Sequence, residues 1–332
     1  MRIIPIFIPH LGCPHDCVFC NQRRIAAPIV PTAEDVRQEI EKALEYTENP
    51  QIAFYGGSFT AIGEELMEEY LSAAYEFIEK GLCSSIRVST RPDCIDEKIL
   101  TLLKSYKVTH IELGVQSMDE DVLKASKRGH TAEDVIQSVY LIKSFGGFSL
   151  GLQMMAGLPF DSEEKTIATA LKIRDLAPDF VRIYPVCVIE NTELADMMMY
   201  GSYTPLAVDK AVDICAKLCV IFEEAGIEII RIGLNPTDEL SGGAVLGGAY
   251  HPALGEMVRG KMLENAVINA LSKVKEKNVT VLINPKDISK LKGRGGTALK
   301  NIRAAFVDKL VSVDTSDKIS RDSFEIDVDI SR

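Results

Sequence analysis

Short runs rich in Ile, Val, Leu and Phe alternate along the chain with longer stretches in which apolar residues recur every three to four positions. The short runs predict strands at residues 3–8, 51–55, 86–89, 110–114, 148–154, 180–184 and 228–232. The longer stretches predict helices at about 33–46, 64–79, 96–105, 132–144, 163–176 and 206–225. Strand–helix alternation of this kind makes βαβ units and a parallel sheet. Six such units curl into an open barrel and eight close it, so the expected fold is α/β, a partial (β/α)6 barrel of the TIM type. Polar and glycine-rich residues follow most strands, at Gly56-Gly57-Ser58, Thr90-Arg91-Pro92, Gln116-Ser117 and Gly157-Leu158-Pro159. In barrels of this type the C-terminal strand ends carry the chemistry.

After about residue 233 the pattern changes. Gly242-Gly243 and Gly247-Gly248 flank a stretch that reads as a mobile loop, followed by a helix near 254–272. A strand at 279–283, a short helix at 286–291, a glycine-rich turn, a helix through Phe306 and strands at 310–313 and 323–328 complete the chain. The expected organisation is a barrel over 1–235, a loop and helix extension over 236–275, and a small α+β module over 276–332. No repeat of fixed period is visible.

Composition narrows the class. The chain has 332 residues, 46% hydrophobic and 26% charged, enough for roughly two domains without a disulfide or metal staple. The net charge of −11 argues against a nucleic-acid binder over its whole surface. Its distribution is uneven: residues 273–309 hold ten basic and three acidic residues, the rest 27 basic and 45 acidic. A basic module follows an acidic body. The longest uncharged stretch, 144–160, contains four Gly and a Pro and is too short to span a bilayer, so no membrane association is expected. The apolar opening lacks a small-residue cleavage site, and eight cysteines without a secretory signal suit a reducing compartment, the cytoplasm.

The segment Cys13-Pro14-His15-Asp16-Cys17-Val18-Phe19-Cys20 is the most informative. Three thiolates on one short loop can bind three irons of a cubane and leave the fourth iron open for a substrate. Zinc is the competing occupant, with His10 or His15 as a fourth ligand, although no second cysteine pair follows at finger-like spacing. Cys215 and Cys219 stand four apart on an apolar helical stripe, where core packing accounts for them. Cys83, Cys94 and Cys187 show no ligand spacing.

The cysteine spacing, with an aromatic before the third cysteine, resembles the signature of the radical S-adenosylmethionine (SAM) superfamily. That resemblance implies a 4Fe-4S cluster on Cys13, Cys17 and Cys20, with SAM chelated at the open iron and Phe19 packed near its adenine. It also implies an external electron donor of the flavodoxin or ferredoxin type, and reductive cleavage of SAM to a 5′-deoxyadenosyl radical that abstracts hydrogen from substrate. Gly56, Gly57 and Ser58, then Ser89 and Arg91, then Gln116, and finally Gln153 fall in order at strand ends and are candidate SAM contacts. A plain strand-to-helix turn is the competing reading of Gly56-Gly57, and a backbone partner that of Gln153, an amide among Leu150, Leu152, Met154 and Met155.

Further segments, among them Val181-Arg182-Ile183-Tyr184-Pro185, Tyr203-Thr204-Pro205-Leu206, Ile230-Arg231-Ile232-Gly233 and His251-Pro252-Ala253-Leu254-Gly255-Glu256, resemble the radical SAM part of the elongator catalytic subunit. This likeness, over about residues 3–260, implies modification of RNA, in particular tRNA. The gap between the first two cluster cysteines is shorter here, and the remaining length is too small for that family's acetyltransferase domain. Gly114-Val115-Gln116-Ser117 and Gly157-Leu158-Pro159 also resemble oxygen-independent coproporphyrinogen oxidases, which supply tetrapyrrole chemistry as an alternative. A non-catalytic iron–sulfur RNA-binding protein is another. Tyr184, Glu112 and Arg231 are placed to line the barrel, with packing or ion pairing as the competing explanation.

In the basic tail the order strand–helix–GxxG–helix–strand is that of a KH domain, whose loop clamps a nucleic-acid backbone. Gly293, Arg294, Gly295 and Gly296 form the loop, and Lys292, Lys300 and Arg303 flank it as phosphate contacts. A glycine cap between two helices with a solvated basic face is the alternative.

Overall fold

The computed structural model describes residues 2–8, 12–20, 30–236 and 240–328. The strands β1 (Ile3–Ile8), β2 (Gln51–Gly56), β3 (Ser85–Thr90), β4 (Val108–Gln116), β5 (Ser149–Ala156) and β6 (Phe180–Pro185) lie side by side in sequence order. β7 (Cys187–Ile189) leaves this sheet, and β8 (Glu228–Ile232) completes it against β6 as the seventh parallel strand. All seven lie within two residues of the positions predicted from hydrophobic pattern.

Alternation explains which face is which. Ile4, Ile6 and Ile8 of β1 are buried, as are Ile52 and Phe54 of β2, Ile86 and Val88 of β3, and Ile111 and Leu113 of β4. These side chains meet the covering helices. The opposite face carries Tyr55, Arg87, Ser89, Glu112, Gln153, Arg182 and Tyr184, and on a flat sheet β2 and β6 would stand about 19 Å apart. Yet Arg182 Nη2 donates to the Tyr55 hydroxyl at 2.9 Å. The sheet is therefore curled into a half-barrel, and its polar face is the concave one. The connecting helices begin where side chains cap them: Thr32 and Thr131 form capping boxes with Asp35 and Asp134, and Asp96, Asp119, Ser162 and Thr192 cap others.

Two features depart from the expected organisation. The stretch near Gly242–Gly248 is not merely a loop: Val245–Gly248 forms a strand, β9, antiparallel to β7. Its short length and two glycines hide it from any periodicity. The chain also divides differently, into one unit of residues 1–207 and 221–250 and another of 208–220 and 251–332. The helix Leu254–Leu271 is thus no separate extension. Its Leu263, Val267 and Leu271 are buried in one core with Val279, Val281, Ile283, Leu291, Ile302 and Val311. That second unit has a three-stranded sheet in the order β11 (Leu310–Thr315), β10 (Asn278–Ile283), β12 (Phe324–Val328), with β10 parallel to β11 and antiparallel to β12. No helix among the described residues is long and apolar enough to cross a membrane.

Candidate active site at the strand ends

The cysteine loop follows β1 and is fixed at several points. Cys20 N–H donates to the Cys17 carbonyl at 3.0 Å, Val18 N–H to the Ser126 carbonyl at 3.2 Å, and Leu194 N–H to the Val18 carbonyl at 2.8 Å. Val18 is buried, and Phe19 packs beside it against a core that includes Val122, Leu158 and Leu194. Gly129 lies so close to the His15 ring that a Cβ there would stand 2.1 Å from it. Burial pushes the Cys13 thiol up to about 11, and Cys17 and Cys20 push it the same way, while Arg128 and Arg91 oppose. The three sulfurs therefore share one electrostatic neighbourhood with two guanidinium groups.

Arg128, which sequence reasoning missed, supplies the closest of these. Its Nη1 lies 3.5 Å from Cys17 Sγ and its Nη2 donates to the Gly114 carbonyl at 2.7 Å. Among the described residues its Nε is buried without a partner, as are Gln116 Oε1 and His130 Nδ1. Buried polar atoms are rarely left unpaired, so such a cluster marks a place where a bound group completes the bonding. Gln116 adds backbone strain, with φ +66 at a register shift in the β4–β5 pairing. A donor set of three neighbouring thiols, an arginine and unpaired amide and imidazole atoms fits a thiolate-bound cluster with a polar ligand beside it. Among the described residues no three His, Cys, Asp or Glu side chains are placed to hold a single metal ion. His10, the alternative zinc ligand, lies outside the described residues.

The other predicted contacts gather at the same end of the sheet. Gly56 has φ +113 and pairs with Ile8 so closely that a Cβ would stand 2.2 Å from the Ile8 carbonyl oxygen. Gly57 N–H donates to that same oxygen. Ser58 is buried, bonded to Thr90 Oγ1 at 2.8 Å and accepting from Arg91 N–H at 3.2 Å. Arg91 is buried with both Nε and Nη2 on Asp93 and Nη1 on the Arg128 carbonyl. Ser58 and Arg91 thus bind the strand ends and the Arg128 turn to one another. Gln153 Nε2 donates to Glu112 Oε2 at 3.1 Å and Ser89 Oγ at 3.3 Å, so its partners are side chains and not backbone.

Deeper in the half-barrel Glu112 is ion-paired, as the competing reading had it, in a network whose arginines Arg87 and Arg182 the sequence did not single out. Glu112, fully buried, accepts from Arg87 Nη1 at 2.6 Å and from Arg182 Nε and Nη2 at 2.6 and 3.0 Å. Burial pulls its pKa upward, but the arginine bonds win and hold the carboxyl below its ordinary range. Arg182 also lies over the Tyr55 ring at 5.5 Å and reaches the Tyr184 hydroxyl at 3.4 Å. Burial, aided by Glu112, pushes the Tyr55 phenol up to about 12, keeping it protonated.

In the other unit the helix Ile288–Lys292 and the helix Thr297–Ala305 are joined by Gly293–Gly296, as the motif predicted. Gly293, Gly295 and Gly296 all have positive φ, and no atom lies within 4 Å of a Cβ built at the last two. Lys292 and Lys300 are exposed; Arg303 donates to the Val311 carbonyl at 3.2 Å. The Arg294 side chain lies outside what is described.

A half-barrel with a cysteine loop after its first strand defines a class, and comparison with known proteins agrees. The model of the Radical SAM superfamily matches residues 7–173, and that of the Radical_SAM C-terminal domain matches residues 178–264. The chain belongs to the radical SAM superfamily. Proteins of this superfamily use a 4Fe-4S cluster and SAM, and these are the cofactors of this chain. The tRNA uridine(34) acetyltransferase of Methanocaldococcus infernus is 31% identical over 197 residues, 53% of this chain and 37% of that protein. Human Elongator complex protein 3 is 29% identical over 186 residues, 50% of this chain and 34% of that protein. The chain thus spans just over a third of the length of these curated relatives. The solved structure of the archaeal M. infernus Elp3 with an N-terminal deletion has the same fold, with a TM-score of 0.63 at 24% identity over 80% of this chain and 63% of that one.

Proposed function

We propose that this chain is a radical SAM enzyme that modifies tRNA. The similarity to a tRNA uridine(34) acetyltransferase, 31% identical over 53% of this chain, carries this reading. Cys13, Cys17 and Cys20 hold the cluster. Gln116 and Arg128, with their unpaired buried atoms, meet the polar ends of SAM, with Ser89 and Gln153 beside them. The Gly56-Gly57 backbone would offer polar groups to its amino end and Phe19 would pack near its adenine, while Ser58 and Arg91 keep the strand ends in place. Bound there, the two cofactors supply an electron and a carbon radical for hydrogen abstraction from the substrate. The protein's own part is to hold the three thiolates, exclude water and position the substrate. An external donor of the flavodoxin or ferredoxin type provides the electron.

The C-terminal unit supports the RNA side of this reading. Its GxxG turn joins two helices on a parallel β10–β11 pair, with Lys292 and Lys300 exposed next to it. We infer a KH-like contact to the RNA backbone through Lys292, Gly293, Arg294, Gly295, Gly296, Lys300 and Arg303.

Anaerobically reconstituted protein given SAM, a reductant and tRNA tests the proposal. Formation of 5′-deoxyadenosine together with a mass change in a tRNA nucleoside is expected. Colourless, zinc-loaded protein would end the cluster assignment. Cluster and tRNA binding without 5′-deoxyadenosine would favour a non-catalytic RNA-binding protein, and turnover of coproporphyrinogen in place of tRNA would favour tetrapyrrole chemistry.

A further inference from the structure

Among the described residues, the concave face carries a cation that its internal network leaves over. Arg182 of β6 and Arg231 of β8 are register partners in adjacent parallel strands, so the two residues stand side by side on that face. Like charges so placed repel unless each is neutralised. Arg182 has a counter-ion in Glu112, which takes two of its N–H groups, but that one carboxylate is shared with Arg87, so the face carries more positive charge than it balances. Glu112 has nothing left to share: its two oxygens already accept from Arg87, Arg182, Gln153 and Tyr55. Glu228, on the same strand as Arg231, is in register with Phe180 at the other end of β8 and is exposed.

Arg231 itself is half-buried, and its Nε donates to the Gly233 carbonyl at 3.0 Å. Among the described residues no carboxylate pairs with it. A half-buried guanidinium whose one hydrogen bond among the described residues is to a carbonyl is poorly compensated. Also beside Arg182, the Tyr184 hydroxyl accepts from Arg182 Nη1, which leaves the phenolic proton to point at some other acceptor. A cation and an O–H donor that both neighbour Arg182, near the C-terminal ends of β6 and β8, make a receptor for an anionic oxygen.

We propose that Arg231 and Tyr184 bind a phosphodiester of the RNA substrate, the one next to the nucleotide that enters the half-barrel. This rests on the tRNA reading above and deepens it. An enzyme that works on a base must take the nucleotide out of its stack, and the adjoining phosphate follows it to the mouth of the site. A charge-assisted contact there fixes how deeply the nucleotide is inserted.

The test is a double substitution across the contact. The reconstituted 332-residue protein, wild type and Arg231→Gln, is titrated with an anticodon stem-loop RNA carrying either normal phosphates or a neutral methylphosphonate beside the target uridine. With normal RNA, Arg231→Gln should weaken binding roughly tenfold or more, and Arg231→Lys should restore part of the loss. With methylphosphonate RNA the wild type should lose the same factor and the Gln variant should lose little more, because the contact is already gone. Additive losses would overturn the assignment even if RNA binds well. Failure of the wild-type protein to bind either RNA would instead remove the tRNA reading, and this contact with it. Matching thermal melts for the three proteins separate the result from misfolding.

Discussion

Arg128 Nη1 lies 3.5 Å from the Sγ of Cys17, while its Nη2 is held on the Gly114 carbonyl at 2.7 Å. The guanidinium is thereby locked between the cysteine loop and the end of β4, with its Nε still unpaired. A positive charge fixed beside three thiolates stabilises negative charge in that neighbourhood, whether on sulfur or on a ligand carboxylate.

Replacing that arginine should therefore separate ligand binding from cluster retention. Arg128→Gln keeps the three cysteines, so the iron content after reconstitution should stay near that of the wild type. SAM affinity should fall by about 1.5–3 kcal/mol, the worth of a charge-assisted bond. Iron analysis and equilibrium SAM binding on the same sample check both halves.

Cysteine substitutions should divide sharply by position. Cys17→Ala removes a loop thiol and should abolish the coloured, iron-loaded state. Cys215→Ala removes a thiol that is fully buried on the helix Val208–Glu224 and should leave iron content unchanged. Equal iron loss in both variants would contradict the assignment.

The buried carboxylate at the centre of the half-barrel should matter for stability. Glu112→Gln leaves Arg87 and Arg182 without a counter-ion, and breaking a buried pair in this way costs about 3–5 kcal/mol. Urea unfolding of the metal-free protein should show a lower midpoint with an unchanged slope.

His110 gives a pH signature. Arg87 Nε donates to Gln51 Oε1 at 2.7 Å, which turns the Gln51 amide nitrogen towards His110 Nδ1 at 2.9 Å. The ring nitrogen must then accept, so the imidazole is neutral. Burial, helped by Arg87, holds its pKa down to about 4 from the ordinary 6.5. A depressed folded value means that the contribution to stability is complete above pH 6.5 and is lost as the pH falls through 4. Unfolding free energies between pH 7 and pH 4 should decline more steeply for the wild type than for His110→Gln.

RNA binding should depend on the exposed lysines beside the GxxG turn. Lys292→Glu and Lys300→Glu should each weaken tRNA binding and flatten the plot of log affinity against log salt by roughly one unit or more. Neither should change the melting behaviour of the protein, since both side chains are exposed. Unchanged salt dependence in both variants would remove the KH-like contact.

The readable parts of this protein are the local ones. Strand positions follow from a two-residue alternation that each segment carries by itself, and the cysteine loop is a contiguous eight-residue signal. The glycine turn between the C-terminal helices is equally contiguous. Arg128 carries no such signal, because it sits in the short turn between Ala125 and Ala132 with nothing periodic around it.

What only the tertiary structure decided is which side chains share the concave face. The donors that meet Glu112 come from residues 25 to 70 positions away in the chain, on β2, β3, β5 and β6. Their meeting depends on how far the sheet curls, a property summed over the twist and stagger of seven strands and so absent from any one of them. The helix Leu254–Leu271 gives the same lesson. Its pattern predicts a helix from sequence alone, but only the core it shares with β10 and β11 shows to which unit it belongs.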